Sequence, residues 1–131
     1  MNVVIAGSAS LQDEIQKWIL YWNAREGYKV VNYPQTIPSE DFEKLYPEVH
    51  AQFFKDIADA GVLFIANEKK NGIEGYIGAE TFAELAFGLA QNLVYGKNIR
   101  LVLAHMPAKE VACHDEIVLW LNLGWIELQE V

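Results

Sequence analysis

The stretch Glu80-Thr81-Phe82-Ala83-Glu84-Leu85-Ala86-Phe87-Gly88-Leu89-Ala90 holds the carboxylate best placed to do chemistry, Glu84. Thr81, Glu84 and Gly88 stand three and four residues apart, so on a helix they share a face. Glu84 then falls in the second turn, either beside a crevice at the helix start or on a solvated face. Near the start of the chain, Gly7-Ser8-Ala9-Ser10 sets small residues and free backbone amides ahead of a helix N-terminus. Such a turn can hold a phosphate or a sugar hydroxyl, or can serve only to reverse the chain tightly. It is not a dinucleotide fingerprint, because the second and third glycines of that motif are missing.

A third segment runs from Asn67 to Gly78, long for a link between a strand and a helix. Its glycines, Gly72, Gly75 and Gly78, recur every third residue, and Tyr76 and Ile77 are apolar residues in a polar stretch. A lid that folds Tyr76 over a ligand has this composition, and so does a surface loop with one packed aromatic. His105, after a strand, reads as an acid or base contact or as a rim residue. His50 and His114 have no partners at metal-ligand spacing, and Asp115-Glu116 suit the start of a helix.

The elements that would position these residues alternate. Val3 to Ala6 and Val62 to Ala66 are continuous apolar runs, the mark of strands buried on both faces, and Tyr28 to Tyr33, Ile99 to Ala104 and Trp125 to Leu128 complete five strands. Between them, helical spacing appears from Leu11 to about Arg25, after Ser39, from Glu80 to about Tyr95 and from Asp115 to Leu123. Ser39 is the expected cap of the second helix, with Phe42, Leu45, Tyr46, Val49, Phe53 and Ile57 as its buried stripe. Phe82, Leu85, Ala86, Leu89 and Leu93 form the expected core stripe of the third, and its further apolar residues Ala83, Phe87 and Ala90 call for a second layer or another subunit. The four tryptophans, Trp18, Trp22, Trp120 and Trp125, read as core or interface.

This pattern predicts a single α/β domain over residues 1–131, a doubly wound parallel five-stranded sheet of the flavodoxin or Rossmann-like kind, with order 2-1-3-4-5 and helices on both faces. Ligands of such sheets bind beyond the carboxyl ends of the strands, where the strand order reverses. Three segments should line that crevice: Gly7 to Ser10, Asn67 to Gly78 with the following helix start, and His105 to Cys113.

Composition narrows the partners. With 10 Lys and Arg against 18 Asp and Glu, the chain carries a net charge of −8, which argues against nucleic acid. The single cysteine, Cys113, excludes an intrachain disulfide, and no zinc spacing occurs. A signal peptide and a bilayer-spanning run are both missing from the sequence given, so a cytoplasmic protein with no membrane partner is expected.

Ile5-Ala6-Gly7-Ser8 and Thr81-Phe82-Ala83-Glu84-Leu85-Ala86 resemble the nucleoside 2-deoxyribosyltransferase-like family, whose relatives include hydrolases of deoxynucleoside monophosphates. The likeness runs over nearly the whole chain, and Val62 to Gly78 looks like an uncharacterised bacterial and archaeal branch. The resemblance implies a nucleoside or nucleotide substrate, a transferase or N-glycosidase reaction of nucleotide metabolism, and a homodimer or higher homo-oligomer. It implies no cofactor and no metal. Glu84 would attack the anomeric carbon of the sugar. Gly7, Ser8 and Ser10 would hold the sugar or phosphate end, while Asn67, Tyr76, Gly78 and Thr81 would shape the pocket. A carboxylate suits that role because cleavage of the bond builds positive charge on the sugar ring. The chain departs from the family in two places: Phe53 stands where relatives often carry an aspartate, with Asp56 the nearest carboxylate, and the glycine that usually adjoins the threonine is displaced to Gly78. The cytokinin-activating phosphoribohydrolases share a similar helix start but have a proline-glycine-glycine turn and an arginine that are absent here. A non-catalytic nucleoside- or nucleotide-binding module would use the same pocket.

Overall fold

An apolar run without alternation can be buried on both faces only inside a covered sheet, and the runs named above lie there. The computed structural model describes residues 1–129, so Glu130 and Val131, the end of the expected domain, lie outside the described residues. In chain order the elements are β1 (Asn2–Ala6), α1 (Gln12–Asn23), β2 (Lys29–Asn32), a 3-10 turn (Ser39–Asp41), α2 (Phe42–Ala58), β3 (Val62–Ile65), α3 (Ala79–Tyr95), β4 (Arg100–Leu103), α4 (His114–Asn122) and β5 (Glu127–Leu128). The sheet has the order β2-β1-β3-β4-β5 with every pair parallel, as the sequence predicts. Ala6 pairs with Ile65, and Ile65 with Leu103, so the chain leaves β1, β3 and β4 at one level. No helix among the described residues is long and apolar enough to cross a membrane.

The two faces are covered unequally. Val3, Ile5, Val62, Phe64 and Val102 pack under α1, whose Trp22 is buried and whose Trp18 ring lies 4.5 Å from Phe64. Val4, Leu63, Ile65, Leu101 and Leu103 meet Phe53 and Ile57 of α2, Leu85 and Leu89 of α3, and Ile117 and Trp120 of α4. Trp125 is exposed, so three of the four tryptophans contribute to packing.

Two helices sit differently from the sequence expectation, and both differences build the site. Ser39 does not cap α2: it lies in the 3-10 turn, where its hydroxyl bonds Glu40, and α2 begins at Phe42 without a side-chain cap. Of the expected α2 stripe, Phe53 and Ile57 are buried, whereas Phe42 and Val49 are exposed. The front half of α2 overhangs a cavity instead of the sheet. Helix α3 is turned so that Thr81, Glu84, Leu85, Gly88 and Leu89 are its buried residues, while Leu93 is exposed. Gly88 explains the turn. A Cβ there would stand 3.0 Å from the Cδ2 atoms of Leu63 and Leu101, tighter than ordinary contact, so glycine lets this face of the helix settle on β3 and β4 without displacing those side chains. Phe82 then stacks on Trp120 of α4, and Phe87 packs on Phe54 of α2, ring centroids 5.3 and 4.6 Å apart. The second layer expected around α3 is supplied on these two sides by its neighbours in the same chain.

Candidate functional site

Beyond the ends of β1, β2 and β3 lies a pocket of about 590 Å³, within the size range of small-molecule sites. Gly7, Ser8 and Ala9 form one wall and the segment from Asn32 to Pro38 another. Leu45, Tyr46, Val49, His50 and Phe53 of α2 form the third, which is what the apolar front half of that helix covers. Lys70, Tyr76, Gly78, Thr81 and Glu84 close it from the β3–α3 side.

Glu84 is the unusual group. The residue is only 5 % exposed, and among the described residues its carboxyl makes no hydrogen bond. A buried ion without partners is costly, so burial first, and the nearby Glu80 carboxylate second, push the Glu84 carboxyl up to about 8. The side chain therefore holds its proton at neutral pH. Burial, with smaller contributions from Glu80 and Glu84, also raises the Tyr46 hydroxyl.

His50, which the sequence leaves without a partner, finds two here. His50, Glu80 and Glu84 each bring one donor atom to within 4.8 Å of the others, and among the described residues these three could together chelate a cation. The imidazole is held by a ladder along α2. Its ring stacks on Tyr46 at 5.1 Å and meets Phe54 edge-on at 4.4 Å, and Tyr46 stacks in turn on Phe42 at 5.0 Å. These residues recur at four-residue spacing, so one helix face sets the whole ladder.

At the opposite side of the pocket, Lys70 Nζ donates to Ser8 Oγ at 2.7 Å and lies 5.4 Å from the Tyr76 ring centroid. This places a cation beside the small-residue turn after β1. Ser10 is exposed and outside the pocket, where its hydroxyl pairs with that of Ser8 at 2.9 Å.

Asn67 is not a pocket residue. It is 1 % exposed, and its amide donates to the carbonyls of His105 and Gly75 while its oxygen accepts from the His105 N–H. It ties the loop after β3 to the end of β4. Gly75 completes that tie: with φ of 63° and only 2.5 Å between a would-be Cβ and the Met106 carbonyl, no other residue fits without strain. The loop that carries Tyr76 is anchored at both points. The third expected wall, from His105 to Cys113, does not reach the pocket. His105 pairs with Glu68, whose other oxygen accepts from Trp18 Nε1 at 3.0 Å. Asp56 is likewise committed elsewhere, accepting from Asn32 at 2.8 Å and Gln52 at 3.0 Å.

Gly7, Ser8, Tyr76, Gly78, Thr81 and Glu84 are thus brought together, whereas Ser10 and Asn67 are not. His50, Glu80, Tyr46 and Lys70 join them without having been singled out from the sequence. The four-residue aromatic spacing of α2 was the one available signal for His50. Comparison with known proteins finds no match to this chain among family models, curated proteins or solved structures.

Proposed function

We propose that the protein cleaves or transfers across the N-glycosidic bond of a nucleoside or nucleoside monophosphate, with Glu84 as the nucleophile. The observation that carries this reading is the buried Glu84 carboxyl, without a hydrogen-bond partner among the described residues, facing a pocket of about 590 Å³. A carboxylate that no protein donor stabilises is free to meet the cationic sugar carbon that forms as the base departs. The ring ladder on α2 offers the base a flat apolar wall, and Ser8 with Lys70 offers the 5′ end a hydroxyl and a cation. Thr81, one turn before Glu84 and 7 % exposed, would lie against the sugar in this reading.

Incubation with a panel of ribo- and deoxyribonucleosides and their monophosphates, with free base measured by chromatography, tests the reading. Wild type should release base from at least one member, and Glu84→Gln should lower the rate by roughly 100-fold or more. Binding of nucleotides without release of base from any of them would replace the enzyme with a binding module. Homo-oligomerisation belongs to the same proposal: Leu93, Val94 and Tyr95 stay exposed at the end of α3. Light scattering at micromolar concentration should give at least a dimer mass, and a monomer mass would refute it.

A further inference from the structure

A purine or pyrimidine leaves poorly as an anion, so a glycosidic reaction in this pocket needs a group that gives the departing nitrogen a proton. Besides Glu84, the pocket is lined among the described residues by one carboxylate, Glu80, which is exposed, and Asp56 does not line it. The two oxygens of Asp56 are taken up by Asn32 and Gln52, and Phe53 lines the pocket with an apolar ring. We propose that His50, beside Glu80, is the acid that protonates the departing base. The inference rests on the glycosidic reading above.

Geometry supports it in three ways. His50 and Glu84 come from different helices and face each other across the pocket wall with donor atoms within 4.8 Å. An acid and a nucleophile that work on one glycosidic bond by double displacement stand about 5 Å apart, because the scissile bond must fit between them. The imidazole is oriented by Tyr46 and Phe54 and has no hydrogen-bond partner among the described residues, so its nitrogens are available to a base. A base stacked along the α2 ladder would bring its ring nitrogens to that edge. Glu80 brings an exposed carboxylate oxygen within the same 4.8 Å.

The steps balance. The proton that Glu84 holds passes to His50 when substrate binds; the resulting carboxylate forms a bond to the anomeric carbon as the carbon–nitrogen bond breaks, and the electron pair on the departing nitrogen takes the proton from His50. Neutral His50 then accepts a proton from water as that water attacks the anomeric carbon. The ester to Glu84 breaks, which restores the carboxylate and the imidazolium. A second base in place of water gives transfer by the same route.

The test compares two leaving groups on one sugar: the nucleoside that wild type cleaves fastest, and the corresponding 4-nitrophenyl glycoside, whose nitrophenolate departs without a proton. His50→Gln should lose at least tenfold more rate on the nucleoside than on the nitrophenyl glycoside, whereas Glu84→Gln should lose comparable rate on both. Free imidazole should restore base release to His50→Ala, which serves as the second variant if glutamine disturbs the ladder. Equal losses on both substrates for His50→Gln, or no rescue of His50→Ala, would overturn the assignment. Loss of wild-type activity in a chelator would also overturn it, in favour of a divalent cation held by His50, Glu80 and Glu84. Cleavage of neither substrate by wild type would overturn the glycosidic reading itself, and the role of His50 with it.

Discussion

Replacing Glu84 by glutamine should change how stability depends on pH, whatever the substrate is. In the unfolded chain the Glu84 carboxyl titrates near its ordinary value of 4.5, and in the folded protein it holds its proton to about 8. Between those two values the folded state binds one more proton than the unfolded state, so stability falls as pH rises through the window. At about 1.4 kcal/mol per pH unit, the full window corresponds to an upper bound of roughly 4–5 kcal/mol, a large part of a small domain's stability. Glutamine mimics the protonated carboxyl in shape and cannot ionise. Glu84→Gln should therefore match wild type near pH 5 and exceed it by up to roughly 4 kcal/mol at pH 8.5. Thermal midpoints for a chain of this size would then differ by about 15 °C at the higher pH. Urea unfolding followed by tryptophan fluorescence from pH 5 to 9 measures this difference directly, because Trp22 and Trp120 are buried in the two halves of the core. The remaining titrating groups are common to both proteins and cancel in the comparison, apart from the interactions of Glu84 with Glu80 and Tyr46. Parallel stability curves for the two proteins would refute the reasoning, since they would mean that Glu84 ionises in the folded state as easily as in the unfolded one.

Other outcomes follow from the same geometry. On a 4-nitrophenyl glycoside, which needs only the attacking carboxylate, kcat/KM should rise with pH and level off above about 8; a rate that falls over that range would make Glu84 an acid instead. Lys70→Met removes the donor to Ser8 and should weaken binding of a nucleoside monophosphate by about tenfold while leaving the nucleoside nearly unaffected, read by titration calorimetry. Equal weakening of both would show that Lys70 does not meet the phosphate. Gly75→Ala, which must accept a φ of 63° and displace the Met106 carbonyl, should cost roughly 2 kcal/mol or more in chemical denaturation. A neutral result would mean the loop is not pinned there.

The sheet was legible in the sequence because burial on both faces leaves a local trace. Val3 to Ala6, Val62 to Ile65 and Leu101 to Leu103 have no polar residue to turn toward water, and right-handed crossovers then leave few orders for five parallel strands. The position of Glu84 followed from the same source, since the second turn of a helix after β3 must lie near the strand ends. Periodicity also marked the apolar faces of α2 and α3 without saying what they face. That is a tertiary matter. The rotation of α3 is decided by the contact of Gly88 with Leu63 and Leu101, side chains from two other strands, and it turns Thr81 and Glu84 inward while leaving Leu93 outside. The front of α2 became a pocket wall because it overhangs the end of the sheet, and only that overhang brings His50 beside Glu84. Asn67 shows the converse. Its type and place suggested a ligand contact, but the bare carbonyls of His105 and Gly75 lie within its reach, and a buried amide is most stable where it satisfies such groups. Sequence determined which surfaces had to be buried, and packing between elements distant in the chain decided which polar groups were left free to face the pocket.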